Sequence, residues 1–275
     1  MFGRSILAVI TLGAALGACA TSAHETKEDG QVNLARINMA RELTGRGDWT
    51  GAFALLNEMH QARPNDPEVL TLRGIVYRER GLLADAESDL RAALKVRPGS
   101  PEAHAALGIL FDLQMRPGAE AEHKEAVRLA PNNPAYLNNL GFSLFLREHF
   151  KQAIGEYEKA ARLAPLSHRV RTNMGFAYAA IGDLPSAARE FRMGGSEVDA
   201  DNNLGFAYER RGDLANAYDL YLQAVRLDPK APRARSNLVH AATLLGRPLP
   251  PEIAPAPAPE SALLPDLSKQ PAATP

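Results

Sequence analysis

The sequence predicts an all-α protein, a right-handed α-solenoid of about six helix pairs closed by a C-terminal capping helix. Three observations predict it. The pentapeptide Asn-Asn-Leu-Gly-Phe occurs at Asn138–Phe142 and at Asn202–Phe206, with the near copy Thr-Asn-Met-Gly-Phe at Thr172–Phe176 between them. A residue that follows a leucine-like one, nearly always small, recurs at Ala40, Gly74, Gly108, Gly141, Gly175, Gly205 and Val239, in steps of 34, 34, 33, 34, 30 and 34. Aromatic residues make up 6 % against 45 % hydrophobic, which suits alanine-rich helices better than a β-sandwich.

The first element, residues 1–18, reads as an export signal. Arg4 is the positive start, Ile6 to Leu16 the apolar stretch, and small residues follow; the stretch is too short to span a bilayer. Leu16-Gly17-Ala18-Cys19 resembles the bacterial lipobox. That resemblance implies a diacylglycerol on the Cys19 thiol, cleavage before it, and acylation of the new amine, more than stable anchoring requires. Ala20 in place of aspartate implies the outer membrane, with the protein facing the periplasm. An ordinary signal peptide with a chance cysteine is the other reading. Cys19 is the single cysteine, so no intramolecular disulfide exists. Residues 19–32 read as a short polar tether behind the lipid.

Residues 33–246 carry the repeat. Beside the small-residue series runs an alanine series, Ala52, Ala86, Ala119, Ala153, Ala187 and Ala217, and prolines close the units at Pro64, Pro98, Pro131, Pro165 and Pro229. This period and placement resemble the tetratricopeptide repeat. One unit matches at Leu70, Gly74, Tyr77, Gly81, Ala86, Leu90, Ala93 and Pro98; another at Leu137, Leu140, Gly141, Ala153, Tyr157, Ala160 and Pro165. The resemblance implies two amphipathic helices per unit, A and B. Small residues let the two backbones approach, glycines such as Gly47, Gly81, Gly182 and Gly212 turn the chain, and proline ends helix B because it lacks an N–H and disfavours helix before it. No unit buries its apolar face alone, so neighbours must stack.

Three units depart from the pattern. The first has Arg36 where a large apolar residue is expected and reads as a weaker cap. The third loses a residue around Gln114–Pro117, which should alter its turn. The fifth is short, with Gly194–Gly195 as a stop and Ser196 three residues before Asp199 as in a capping box, which should bend the stack. Residues 247–275 contain nine prolines among alanines and no apolar period, and read as an extended disordered tail.

No catalytic, metal or cofactor constellation is legible. There is no G-x-S-x-G, P-loop, H-E-x-x-H or C-x-x-C, and the seven histidines are scattered; His104 and His123 fall where side chains normally pack. The cluster Asp199–Asn203 fails as a calcium loop, since Leu204 and Arg210 stand where glycine and glutamate are needed. Lysine plus arginine (31) nearly equals aspartate plus glutamate (32), and no basic stripe with aromatics points to nucleic acid. Neither an enzyme nor a small-molecule binder is expected.

A binding face remains. Numbered so that the recurrent small residue is position 8, helix A turns positions 2, 5, 6, 9 and 12 toward the groove that this repeat family uses. Position 6 holds Asn38, Asn139, Asn173, Asn203 and Asn237. Asparagine amides offer one acceptor and two donors, so a ladder of them could grip an extended peptide; equally they could bond a neighbouring repeat. Position 9 holds Ile75, Ile109, Phe142, Phe176, Phe206 and His240, with Phe145 and Leu146 beside them. These read either as a stripe for a partner's apolar segment or as core between repeats. Arg169 and Asn173 resemble part of a carboxylate clamp, but Ala105 and Ile109 stand where its earlier lysine and asparagine belong.

The units from Ala103 to Ala160 resemble those of the tight-adherence pilus assembly lipoproteins and of the type IV pilotins. The interrupted fifth unit and the ending Leu245-Gly-Arg-Pro-Leu-Pro favour the former. The resemblance implies an adaptor whose groove captures a protein partner, a secretin or other pilus component, while the N-terminal lipid holds the membrane. A scaffold presenting substrates to a periplasmic protease or cell-wall hydrolase would use the same anchor and groove.

Overall fold

The computed structural model describes residues 18–251 and 253, with side chains from residue 31 onward. The described residues form thirteen helices: α1 (Ala18–Gly45), α2 (Trp49–Ala62), α3 (Pro67–Glu79), α4 (Leu83–Val96), α5 (Pro101–Leu113), α6 (Ala119–Leu129), α7 (Pro134–Leu146), α8 (Phe150–Leu163), α9 (His168–Ala180), α10 (Leu184–Gly194), α11 (Glu197–Arg210), α12 (Leu214–Leu227) and α13 (Pro232–Leu245). Odd-numbered helices are the A and even-numbered the B members of each pair; α13 is a further A helix. They belong to two compact units, one ending at Pro165 and one starting at Leu166.

Local chemistry sets the helix ends. Each of α2, α4, α6, α8 and α12 stops two residues before its proline, the intervening C-cap being Arg63, Arg97, Ala130, Ala164 or Asp228. Helices α3, α5 and α7 begin on proline behind Asp66, Ser100 and Asn133, whose side chains accept backbone N–H bonds. The A–B turns need a left-handed residue, and Gly47, Gly81, Gly182 and Gly212 supply it with φ of +74°, +77°, +89° and +81°. The third and fourth pairs lack that glycine. Met115 takes φ +50° and Glu148 φ +62° instead. The missing residue in the third pair is absorbed there: Gly118, at φ +96°, starts an α6 of only 11 residues.

Packing within each pair follows one rule. A Cβ placed on Gly74, Gly108, Gly141, Gly175 or Gly205 would come within 2.5–2.7 Å of Leu90, His123, Tyr157, Phe191 or Tyr221 respectively. The A helix is small at this point so that a large B-helix side chain can lie on its backbone. All six residues of the alanine series are fully buried. The short fifth pair ends as expected: Gly195 caps α10, Ser196 accepts from the Asp199 N–H, and a Cβ on Gly194 would press on Cβ of Arg171 at 2.6 Å.

Two expected segments differ. Helix α1 does not start at Asn33 but runs back to Ala18, so the backbone of the expected polar tether, 19–32, is helical. The stretch contains no proline to break a helix, and Ala20, Ala23, Glu25, Lys27, Glu28 and Gln31 are good helix formers. The expected tail also begins later than Arg247. Ile253 is 5 % exposed in a cluster with Tyr218, Leu238 and Ala242, Leu249 packs against it, and Arg235 donates to the Ile253 carbonyl at 3.3 Å. A solenoid end must cover its last apolar surface, and this extended strap does so. Residues 1–17 of the expected export signal (1–18), and residue 252 and residues 254–275 of the expected tail (247–275), lie outside the described residues.

Replacing Glu148 by glycine is expected to raise stability by about 1 kcal/mol, because glycine removes the left-handed strain. Gly81→Glu should lower it by a similar amount. Urea midpoints of the two variants check both signs.

Candidate functional site

In the first unit the A-helix face is built by α1, α3, α5 and α7. At its start the charges answer one another: Arg41 reaches Glu102 at 2.7 Å and Glu68 at 3.8 Å, and Arg97 reaches Glu68 at 3.0 Å. Arg41 lies on α1 and Glu102 on α5, so this pair ties repeats two apart. Further along, Ile75 and Ile109 are half-buried, while Phe142 is 43 % and Leu113 62 % exposed. Phe145 is half-buried and packs edge-on to Phe150 at 5.3 Å between centroids. Asn139 is half-buried, and its side chain has no hydrogen-bond partner among the described residues.

In the second unit the face belongs to α9, α11 and α13. Arg169 is exposed; Asn173 and Asn203 are half-buried. Phe176 is half-buried between Phe191, at 4.9 Å, and Phe206, at 6.0 Å, and Phe206 is 41 % exposed. Asn237 donates to the Asn202 side chain at 2.9 Å, joining α13 to α11. The position-6 amides therefore divide. Asn237 bridges neighbouring repeats and Asn173 has a partner within the chain, whereas the Asn139 and Asn203 side chains are unbonded. The aromatic series divides likewise: Phe176 and Phe145 serve packing, and Phe142 and Phe206 present surface. Cys19 stands in the second residue of α1.

Sequence reasoning missed the buried polar groups. Asp112 is 6 % exposed and accepts from His123 at 2.9 Å, Ser143 at 2.9 Å and Arg147 at 2.7 Å, while Arg147 also donates to the Arg116 carbonyl at 3.2 Å. This hub locks α5, α6 and α7 and so fixes the helix that presents Asn139 and Phe142. Burial alone would raise the Asp112 carboxyl; the bonds from His123, Arg147 and Ser143 outweigh it and hold it below the usual carboxylate range. Buried pairs Arg73–Asp89, at 2.6 Å, and Arg171–Glu190, at 2.7 Å, fasten α3 to α4 and α9 to α10. A signal existed: His123 replaces the apolar knob of the other pairs, and a basic residue on helix A faces Asp89 or Glu190 on helix B.

Asp201 is the opposite case. It is 3 % exposed, its Oδ2 has no hydrogen-bond partner, and burial together with the nearby Glu197 pushes its carboxyl up despite Arg192. The folded state thus holds the Asp201 proton more tightly than the unfolded chain. Stability is lost as pH rises through the folded value and regained below the unfolded one.

Two segments, residues 43–110 and 200–231, match the tetratricopeptide repeat. Over 81 residues the chain is 36 % identical to the type IV pilus assembly protein PilF of Pseudomonas aeruginosa, a match covering 29 % of this chain and 32 % of that protein. The chain thus spans about a third of this relative's length. The solved structure of Pseudomonas aeruginosa PilF superposes with a TM-score of 0.60 at 19 % identity, covering 77 % of this chain and 98 % of that one. PilW, described as a widely conserved type IV pilus biogenesis factor, gives 0.65 at 18 % identity over 76 % and 99 %. These superpositions establish the fold. Among the described residues no helix is long and apolar enough to cross a membrane.

Asp201→Asn is expected to gain about 1 kcal/mol at pH 7 and nothing near pH 3, where the wild-type carboxyl is protonated in both states. Asp112→Asn should lose about 3 kcal/mol at pH 7, since it strips the charge that Arg147 needs. Denaturant titrations at the two pH values check both.

The chain thus carries tetratricopeptide repeats over 43–110 and 200–231 within an all-α tetratricopeptide-repeat fold, and over 81 residues it is related to a type IV pilus assembly factor.

Proposed function

We propose that this protein is an outer-membrane lipoprotein adaptor, anchored through Cys19 and facing the periplasm, that captures a pilus or secretion component, a secretin subunit, on its helix-A faces. The observation that carries the binding role is the pairing of an exposed phenylalanine with an unbonded, half-buried amide: Asn139 with Phe142, and Asn203 with Phe206. Both halves lie open to solvent, and a partner's extended peptide segment would meet the ring with an apolar side chain and the amide with a backbone group. The pilus assignment draws on the 81-residue relationship to PilF, and the anchor on the Leu16–Cys19 pattern. Tetratricopeptide-repeat folds act as scaffolds for protein contacts.

A photo-reactive residue at Phe142 or Asn173 in living cells tests the partner. A secretin adduct is the expected outcome; an adduct with a protease or cell-wall hydrolase would replace the pilus reading with that of a substrate-presenting scaffold. Asn139→Ala with Phe142→Ala should weaken partner binding about tenfold, or about 1.4 kcal/mol, with helicity unchanged. Cys19→Ser should move the protein from the membrane fraction to the soluble fraction; retention in the membrane would contradict the lipid anchor.

A further inference from the structure

The α9–α11–α13 face carries charge that its own helices leave unanswered. Arg169, Arg210 and Arg233 are exposed and make no ion pair among the described residues. Helices α9 and α13 contain no acidic residue at all. On α11 the carboxylates are mostly committed. Asp199 accepts the Ser196 hydroxyl at 2.6 Å, Asp201 is buried, and Glu209 accepts the Tyr221 hydroxyl at 2.6 Å and faces His240 at 3.6 Å; Glu197, its first residue, stays exposed. The equivalent face of the first unit differs, for there Arg41 is already met by Glu102 and Glu68.

Between these arginines lie the exposed Phe206 and the unbonded Asn203 amide. A free amide suits an extended segment, whose N–H and C=O groups are open, better than a helix, whose own are paired. The surface therefore fits an extended stretch with bulky apolar residues between two carboxylates.

The chain contains such a stretch, Glu260-Ser-Ala-Leu-Leu-Pro-Asp-Leu267. Its proline disfavours helix. Glu260 and Asp266 are six residues apart, about 20 Å when extended. Arg233, near the start of α13, and Arg210, closing the neighbouring α11, are separated by about 16 Å along the helices and about 9 Å across them, or about 19 Å in all. Ile253, seated against α12 and α13, precedes Glu260 by seven residues, a reach of about 23 Å.

We propose that Glu260–Leu267 docks on the α9–α11–α13 face, with its two carboxylates on Arg233 and Arg210 and its leucines on Phe206. The segment then occupies the surface that a partner must take. Tethering supplies an effective concentration of the order of millimolar, while exposed pairs remain individually weak and screened by salt, so the occupant is exchangeable. This rests on the reading of the helix-A faces as binding surfaces.

The test is disulfide trapping in the full chain with Cys19→Ser, carrying Phe206→Cys and Leu263→Cys. A monomeric disulfide under mild oxidation is expected, mapped by mass spectrometry. Its rate should fall at least fivefold with Arg210→Glu and Arg233→Glu, and recover when Glu260→Arg and Asp266→Arg are added. No disulfide from a chain whose circular dichroism is intact would overturn the proposal. A disulfide found only between two chains would overturn it in favour of a second copy, and a rate indifferent to the charge reversals would remove the assigned pairing. None of these results touches the adduct formed from Phe142 in the other unit, so a failure here is separable from a failure of the adaptor reading.

Discussion

Everything in this molecule depends on how closely helix A can approach helix B. At Gly74, Gly108, Gly141, Gly175 and Gly205 the approach is so close that even a methyl group would overlap the facing side chain. That facing side chain is large: Leu90, His123, Tyr157, Phe191 or Tyr221. A small residue and a large one thus share one packing site, and the fully buried alanine of each B helix completes it. Close packing of this kind leaves little freedom to slide. The exposed side of each A helix is therefore set by the buried side, and the surface chemistry inherits the precision of the core.

The third pair shows what happens when the knob is polar. His123 lies on Gly108 as the leucine and aromatic rings do elsewhere, but an imidazole buried at 1 % exposure needs a partner. Asp112 supplies it, and Asp112 in turn needs cations and donors, which Ser143 and Arg147 bring from the next repeat. One substitution in the core pattern thus propagates into a joint between repeats. Apolar stacking would tolerate a small slip between α5 and α7; hydrogen bonds with fixed directions do not. Asn139 and Phe142 sit on the helix so held.

The two units reach different electrostatic solutions on the same scaffold. In the first, an arginine from one repeat is met by glutamates from the next two, so its charge is answered within the face. In the second, arginines border an aromatic surface without carboxylates to meet them. The repeat dictates where side chains point and leaves open what they are, so one architecture presents two surfaces of distinct chemistry.

The fold was legible because its signals are local and periodic. Spacing located Gly74, Ala86 and Pro98 in their roles, since a helix crossing, a buried contact and a chain stop each require a specific residue type. Composition was a poorer guide at both ends. It read 19–32 as a polar tether without showing that its backbone is helical, and it began the tail of 247–275 at Arg247, although Leu249 and Ile253 pack down. The five position-6 asparagines look alike in sequence, yet the Asn237 amide is bonded to Asn202 and that of Asn203 is unbonded. Phe176 and Phe206 close near-identical pentapeptides, yet the first sits between two rings and the second faces outward. By itself the sequence determined the helix pairs, their boundaries and their tight crossings, because each depends on residues within one repeat. Only the tertiary structure decided which amides and rings stay open and where Asp112 and Asp201 find or lack partners, because those outcomes depend on side chains supplied by other helices, beyond the reach of any local pattern.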